Sequence, residues 1–201
     1  MNQSQTIVRR QTPLQALNYA VLRLLRWRIT GSFPAAPKYF VVGAPHTTNW
    51  DFMYMLLLRG ATGVNLHWVG KDALFRWPLG GFLKRLGGIP VNRRIRANFV
   101  DQIIDLFNRR DELAIAIAPE GTRKKAHYWR SGFYYMALGA QIPIQLVAVD
   151  YGRRTLEIGP LFQPSGDIEK DFVLIRRFYA GKQGKFPHFQ GEVRLKDETE
   201  A

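Results

Sequence analysis

Apolar segments of strand length alternate along this chain with segments of helical periodicity, and this alternation restricts the fold more than any other feature. The strand-like segments are short, rich in β-branched and aromatic residues, and predicted at residues 39–42, 65–69, 113–118, 144–150 and 155–158. The helix-like segments are predicted at residues 13–29, 52–59, 96–109, 132–139 and 167–180. Such alternation predicts an α/β fold with a mainly parallel central sheet flanked by helices.

The length of 201 residues suits one domain that is large enough to bury a core. We expect a single domain over residues 1–201, with an N-terminal amphipathic helix at 13–29. An α/β core follows at 38–150, and a hairpin, a helix and a tail occupy 151–201. Neither repeats nor low-complexity segments divide the sequence.

Charge and composition narrow the class of partner. The net charge of +13, from 29 basic against 16 acidic residues, attracts nucleic acid, anionic lipid headgroups or phosphorylated substrates. The five tryptophans favour lipid, since their rings prefer the membrane interface. The absence of cysteine excludes a thiolate nucleophile, a disulfide and a Cys-ligated metal.

The helix predicted at 13–29 has an apolar face and an arginine-rich face. Its apolar residues follow helical spacing and are Leu14, Leu17, Val21, Leu24 and Leu25. This pattern suits a helix packed on the domain or one lying in a membrane interface, and both interpretations stay open. The apolar runs are too short for the about 20 residues of a spanning helix, and we expect no signal peptide.

The loop after residues 39–42 contains a histidine and an aspartate five residues apart, His46 and Asp51. Across a strand-to-helix loop, this spacing allows an imidazole and a carboxylate to reach hydrogen-bond distance. The carboxylate would stabilise the imidazolium that forms when His46 removes a proton. The same spacing also suits a loop histidine followed by a helix-capping aspartate, so on its own it leaves both interpretations open.

Two further loops contain residues that suit an anion. Gly121 permits a sharp turn beside Glu120, and the planar guanidinium of Arg123 suits a phosphate. A glycine pair at 87–88 precedes Arg93 and Arg94 in the other loop. Each loop is also compatible with a solvated surface turn. Because ligands of open α/β sheets bind at the carboxyl ends of strands, we expect all three loops to meet at one site.

Taken together, the order and spacing of these loops resemble the glycerolipid acyltransferase superfamily. The His-x4-Asp motif of that family is matched by His46–Asp51, and its Gly-x5-Arg motif by Gly87–Arg93. Its Pro-Glu-Gly-Thr-Arg motif is matched within Ala118–Arg123, where Ala118 replaces the usual bulky residue. An apolar stretch around a proline corresponds to Ile142–Ile144. The resemblance covers roughly residues 38–150.

The resemblance implies a role for each of these positions. His46 would be the general base and Asp51 its orienting carboxylate. The acceptor phosphate would be bound by Arg93, Glu120, Gly121, Thr122 and Arg123. The acyl donor would be a thioester of coenzyme A or acyl carrier protein, with no other cofactor. The acceptor would be a lysophospholipid such as 1-acylglycerol-3-phosphate, or alternatively a lyso-ornithine lipid or another lysolipid.

Three further features of the sequence bear on this interpretation: the possible nucleophiles, the donors to the oxyanion and a group of basic and aromatic residues. Direct transfer activated by a histidine base is the natural scheme where neither cysteine nor a Gly-x-Ser-x-Gly elbow is present. The backbone N–H groups near Gly43 or Gly121 are candidate donors to the oxyanion. The basic and aromatic residues Lys71, Arg76, Trp77 and Lys84 would line an entry groove or form a solvated loop.

A metal site is not expected, because the other histidines lack ligand spacing. A non-catalytic basic module that binds lipid or nucleic acid would explain the charge, but it leaves the gathering of His, Asp, Glu and Gly in the loops unexplained. We therefore expect an anionic membrane surface as the partner and no nucleic acid. The expected location is cytoplasmic, peripheral to the inner face of a membrane.

Overall fold

The computed structural model of the protein describes residues 12–91 and 96–196. Its helices are α1 (Pro13–Leu24), α2 (Trp50–Thr62), α3 (Gly80–Arg85), α4 (Arg96–Asn108), α5 (Gly132–Gly139) and α6 (Ile168–Tyr179). Its strands are β1 (Arg28–Thr30), β2 (Lys38–Ala44), β3 (Leu66–Lys71), β4 (Gly88–Val91), β5 (Leu113–Ile117), β6 (Ile144–Asp150) and β7 (Thr155–Phe162). Short 3-10 helices lie at Asp72–Phe75 and Pro187–Phe189.

The seven strands form one sheet in the order β1-β7-β6-β2-β5-β3-β4. Every neighbouring pair is parallel except β6 and β7, which form an antiparallel hairpin. The prediction of an α/β fold with a mainly parallel sheet is therefore confirmed. Strand β2 lies at the centre, with β6 on one side and β5 on the other.

Both faces of the central strands are buried, which explains why their sequences are continuously apolar. Successive residues of β2 enter different cores: Phe40 and Val42 join the cluster formed with α4, α5 and α6. Tyr39 and Val41 join the second cluster, which contains residues of α1 and α2. The helices thus cover both faces of the sheet.

The N-terminal helix is present, but its predicted end at residue 29 is wrong. Helix α1 begins with a Thr12 capping box and ends at Leu24. Arg26 then takes a positive φ of 61°, and Trp27 is buried in the core. The next residues pair with β7 as strand β1. Strand pairing and burial of Trp27 therefore override the helical periodicity of the sequence.

Helix α1 packs on α2 with only one of its faces. The opposite face carries most of the apolar residues predicted for it, and they remain exposed: Leu14, Leu17, Leu24 and Leu25. Val21 is half-buried, and Leu22 is the buried residue of the helix. Within residues 12–91 and 96–196, the helices fall short of the length and apolar character needed to cross a bilayer.

The parallel strands bring the polar loops to one edge of the sheet. The carboxyl ends of β2, β5 and β3 lie side by side at this edge. Strand β1 runs in the opposite direction to β2. Its first residue, Arg28, pairs with Thr155, which lies opposite Asp150 at the carboxyl end of β6. The last turn of α1 therefore also lies near this edge.

Candidate active site

The loop between β2 and α2, residues 45–51, is called the His–Asp loop below. It leaves the central strand at Ala44 through a cis bond to Pro45 and enters α2 at Trp50. Asn49 occupies the N-cap position of α2, but its side chain makes no capping hydrogen bond. Asp51 lies in the first turn of the helix, where the helix dipole favours its negative charge.

The structure brings His46 and Asp51 into direct contact. Nδ1 of His46 lies 3.1 Å from Oδ2 of Asp51. That oxygen also accepts hydrogen bonds from the backbone N–H groups of Thr47, at 2.9 Å, and Thr48, at 3.0 Å. Since Asp51 accepts, the proton of this contact is on Nδ1, and in the neutral imidazole Nε2 then carries the lone pair. Asp51 is buried while the His46 side chain is partly exposed, so the imidazole is accessible to a substrate.

Tyr151 is a third member of this network that the sequence analysis missed. Its hydroxyl donates to Oδ1 of Asp51 at 2.7 Å, so both carboxylate oxygens have donors. Burial, followed by the hydrogen bond to Asp51, raises the pKa of the Tyr151 hydroxyl far above its ordinary value, and the group remains a proton donor. Its ring contacts Trp27 and Tyr54 edge to face. Its position directly after β6, at the edge shared with His46, is the signal that could have identified it.

Glu120 faces the interior and holds the backbone of the His–Asp loop. Its Oε2 accepts a hydrogen bond from the backbone N–H of His46 at 2.7 Å, and the side chain is buried. Burial raises the pKa of Glu120 to about 7, although the hydrogen bond from His46 favours the ionised form. This carboxyl group therefore ties the loop after β5 to the loop after β2.

The residues that follow Glu120 form an exposed turn. Gly121 has a φ of +66°, and its N–H donates to the carbonyl of Ala118, so this donor is already engaged within the turn. A side chain at Gly121 would collide with Arg130, whose Nε lies 2.7 Å from the position of a Cβ atom. Thr122 accepts from the backbone N–H of Lys124, and Arg123 is exposed.

Arg93 lies outside the residues that the structure describes, so its predicted role as a phosphate ligand stays a prediction. The beginning of its motif is described: Gly87 has a φ of +85° and lies against the carbonyl of Leu66. Strand β4 follows at once and pairs with β3. The motif therefore starts at the far edge strand of the sheet.

A C-terminal segment covers one side of the His–Asp loop, which the sequence analysis did not anticipate. The N–H of Phe186 donates to Oγ1 of Thr47 at 3.3 Å, and Gly184 packs against the same side chain. Nζ of Lys185 lies 5.2 Å from the centre of the exposed Trp50 ring. A cation and two aromatic rings therefore lie beside the His–Asp loop.

This arrangement is one that can act as a general base. A carboxylate with all its donors in place holds an imidazole in one tautomer, and the free nitrogen can accept a proton from a hydroxyl. Among the residues that the structure describes, no group of three or more His, Asp or Glu side chains could hold a metal ion. The fold and the site together define a class of protein: an α/β enzyme whose His–Asp pair sits at the carboxyl edge of the sheet.

Comparison with known proteins names the family. The family model described as acyltransferase matches residues 26–150, and this chain belongs to that family. The His–Asp loop, Gly87–Arg93 and the Glu120–Arg123 turn all fall inside the matched region. The sequence-based assignment to the glycerolipid acyltransferase superfamily is therefore confirmed, and the protein is an acyltransferase.

Among solved structures, the chain is similar to the 1-acyl-sn-glycerophosphate (LPA) acyltransferase PlsC from Thermotoga maritima. The TM-score is 0.55 at 16% sequence identity, and the match covers 82% of this chain and 76% of that one. At this identity the likeness shows a shared fold. No curated protein matches the sequence significantly.

Proposed function

We propose that this acyltransferase moves a fatty acyl group from a thioester of coenzyme A or acyl carrier protein to the hydroxyl of a lysophospholipid such as 1-acylglycerol-3-phosphate. The observation that carries the proposal is the contact of 3.1 Å between Nδ1 of His46 and Oδ2 of Asp51. The family membership supplies the reaction class, and the solved PlsC structure makes a lysophosphatidate-type acceptor the first to test.

In the proposed mechanism, Nε2 of His46 removes the proton of the acceptor hydroxyl. The hydroxyl oxygen attacks the thioester carbonyl, and Asp51 stabilises the imidazolium through Nδ1. The tetrahedral intermediate then collapses to the new ester, its carbon–sulfur bond breaks, and the imidazolium returns the proton to the departing thiolate. The chain has no cysteine that could form an acyl-thioester intermediate, which supports direct transfer.

The Glu120–Arg123 turn has two different tasks in this proposal. Arg123, which is exposed, binds the acceptor phosphate together with Arg93, as the family resemblance implies. Glu120 is buried against the backbone of His46 and acts by positioning the loop. The backbone of Gly121 and the hydroxyl of Thr122 shape the turn that presents Arg123.

We further propose that the enzyme works at an anionic membrane surface, on the cytoplasmic side. The exposed leucines of α1 supply an apolar face, and the net charge of +13 supplies attraction to anionic lipid. Leu24 and Leu25 lie at the end of α1 nearest the edge with His46. A lysolipid acceptor could therefore present its hydroxyl while its acyl chain stays in the bilayer.

The test is a product analysis with matched proteins. The purified enzyme is incubated with lysolipids that carry phosphate, choline phosphate or ornithine headgroups, and with acyl-CoA or acyl carrier protein donors. Mass spectrometry should find the diacyl product of the phosphate-bearing acceptor. The control, His46→Ala, should lose about 10²–10⁴-fold in rate while keeping its fold by circular dichroism.

The pattern of products decides between the alternatives. A diacyl product from the ornithine lysolipid alone would replace the proposed acceptor while keeping the mechanism. Equal product formation by the wild-type protein and His46→Ala would show that His46 is not the base. No product from any acceptor, together with binding of lipid or nucleic acid, would favour the non-catalytic module.

A further inference from the structure

The connection between β3 and β4 exposes large apolar side chains. Residues 71–85, called the 71–85 segment, comprise the end of β3, a 3-10 helix, a turn through Trp77 and helix α3. Phe75 anchors the segment, because its ring packs 5.6 Å from that of Trp68 and fills the space above Gly70 and Gly88. Gly80 is buried and lets the backbone pass close to the carbonyl of Phe75.

Around this anchor, four side chains point into solvent. Trp77 is 93% exposed, and Leu74, Leu79 and Phe82 are each more than half exposed. Apolar patches of this kind on soluble proteins mark interaction sites. The cations of the segment are Lys71, Arg76, Lys84 and Arg85, against the single carboxylate of Asp72. The segment therefore combines an apolar tip with positive charge.

The position of the segment relates it to the active site. It begins at the carboxyl end of β3, which is separated from β2 and His46 by only one strand, β5. The exposed end of α1, with Leu24 and Leu25, lies at the same edge beside β1. Since β1 and β4 are the outermost strands, the two exposed surfaces are roughly 30 Å apart, with His46 between them.

We propose that the 71–85 segment is a second membrane-binding surface, at which Trp77, Leu79 and Phe82 enter the interface of an anionic bilayer. The cations of the segment contact lipid phosphates while the indole lies at headgroup level. The 71–85 segment and the end of α1 then rest on one plane and hold the catalytic edge against it. This inference adds a binding surface to the proposed function and rests on that function only for the acceptor in the membrane.

Charge and geometry favour a bilayer over a protein partner. A flat, extended surface contacts both ends of the sheet edge at once, whereas a small acidic carrier would meet one end. Tryptophan, phenylalanine and leucine beside lysine and arginine are the residue types of interfacial surfaces. An acidic carrier protein and a second copy of this chain are the competing occupants, and each predicts a different experimental result.

The experiment measures vesicle binding without substrates. Full-length protein is mixed with vesicles of phosphatidylcholine, with or without phosphatidylglycerol, and sedimented. Trp77→Ser combined with Phe82→Ser should weaken binding to the anionic vesicles by about tenfold, which corresponds to ~1.4 kcal/mol. Arg76→Gln combined with Lys84→Gln should weaken binding only where phosphatidylglycerol is present. The matched control is Val173→Ser, on the exposed side of α6, which should bind like the wild type.

A second measurement detects the inserted side chain itself. Brominated lipids quench tryptophan fluorescence by contact, so the wild-type protein should lose a component of emission that Trp77→Phe lacks. His46→Ala should bind vesicles like the wild type, which separates this inference from the proposed chemistry. Turnover of a short-chain lysolipid dissolved as monomers should be unchanged in the Trp77 and Phe82 variant.

Three results would overturn the inference. One is equal vesicle binding by the wild type and the Trp77→Ser, Phe82→Ser variant. Another is unchanged vesicle binding with slower transfer from acyl carrier protein only, which would assign the segment to the carrier. The third is a dimer that dissociates in the variant during sedimentation, which would assign it to a second copy of the chain.

Discussion

The His–Asp loop and the 71–85 segment lie at the same edge of the sheet, but the first is buried and hydrogen-bonded while the second is exposed and apolar. In the loop, Asp51 is buried and both of its oxygens accept hydrogen bonds, so one geometry is fixed. In the segment, large apolar side chains remain in water around the anchor Phe75. Proton transfer requires atoms held in one geometry. Binding to a fluid bilayer depends on the apolar area that is buried and does not require specific partner atoms.

Because of this difference, we expect substitutions in the two regions to affect different measurements. Changes in the His–Asp loop and its supports should alter turnover and leave vesicle binding intact. Changes in the 71–85 segment should alter vesicle binding and leave turnover of a dissolved acceptor intact. A variant that alters both would show that the two regions are coupled.

The largest effect on the loop side should come from Asp51→Asn. The amide cannot stabilise an imidazolium, and it cannot accept all the hydrogen bonds that converge on Asp51, so kcat should fall by about 10²–10⁴-fold with little change in the acceptor KM. Steady-state kinetics and thermal unfolding are measured together. If the activity loss matched only the loss of folded protein, Asp51 would be a structural residue of α2 and not a partner of His46.

Arg123→Ala should separate binding of the acceptor from chemistry. A charge-assisted contact with phosphate contributes about 1.5–3 kcal/mol, so KM for a phosphate-bearing acceptor should rise by about 10–100-fold. Arg130→Ala, whose side chain lies against Gly121 of the same turn, is the comparison variant. Identical losses with an acceptor that lacks phosphate would assign Arg123 a structural role.

Tyr151→Phe should lower kcat by about tenfold or less, because it removes one hydrogen bond to the buried carboxylate of Asp51. The acceptor KM should not change, since Tyr151 acts on the substrate only through Asp51. Tyr54→Phe is the matched control, as its ring lies in the same aromatic cluster and should change kcat less than twofold. An equal loss in both variants would point to packing of the cluster.

The smallest effect concerns stability and arises from Glu120. The pKa of Glu120 is raised from 4.5 to about 7 in the folded protein, so the folded state retains a proton that the unfolded chain has already lost between these values. The contribution of Glu120 to the free energy of unfolding therefore decreases as the pH rises through this range and is constant above it. Between pH 5 and pH 7.5, the free energy of unfolding of the wild type should therefore fall by about 1–3 kcal/mol because of Glu120. In Glu120→Gln this part of the fall should be absent, and urea unfolding at both pH values measures it. Parallel pH dependence in both proteins would contradict this.

Much of the fold was predictable because buried parallel strands require continuous apolar runs, as at Leu113–Ile117. The end of α1 could not be predicted from the sequence, because the burial of Trp27 and the pairing of Arg28 with β7 depend on residues far away in the chain. His46 and Asp51 stand close in sequence, so their contact could be predicted. The bond from Tyr151 to Asp51 joins residues a hundred positions apart.

The short strand β1 has a consequence for the whole sheet. It covers only Thr155, Leu156 and Glu157 of β7, yet without it β7, the longest strand, would be an open edge with free backbone donors and acceptors. Such edges recruit strands from other molecules, and a very short terminal strand is one way in which proteins block this. We therefore expect Arg28–Thr30 to limit self-association through this edge of the sheet. A chain shortened to begin at Gly31 would lose β1 together with α1, and its aggregation could be mistaken for a loss of membrane binding.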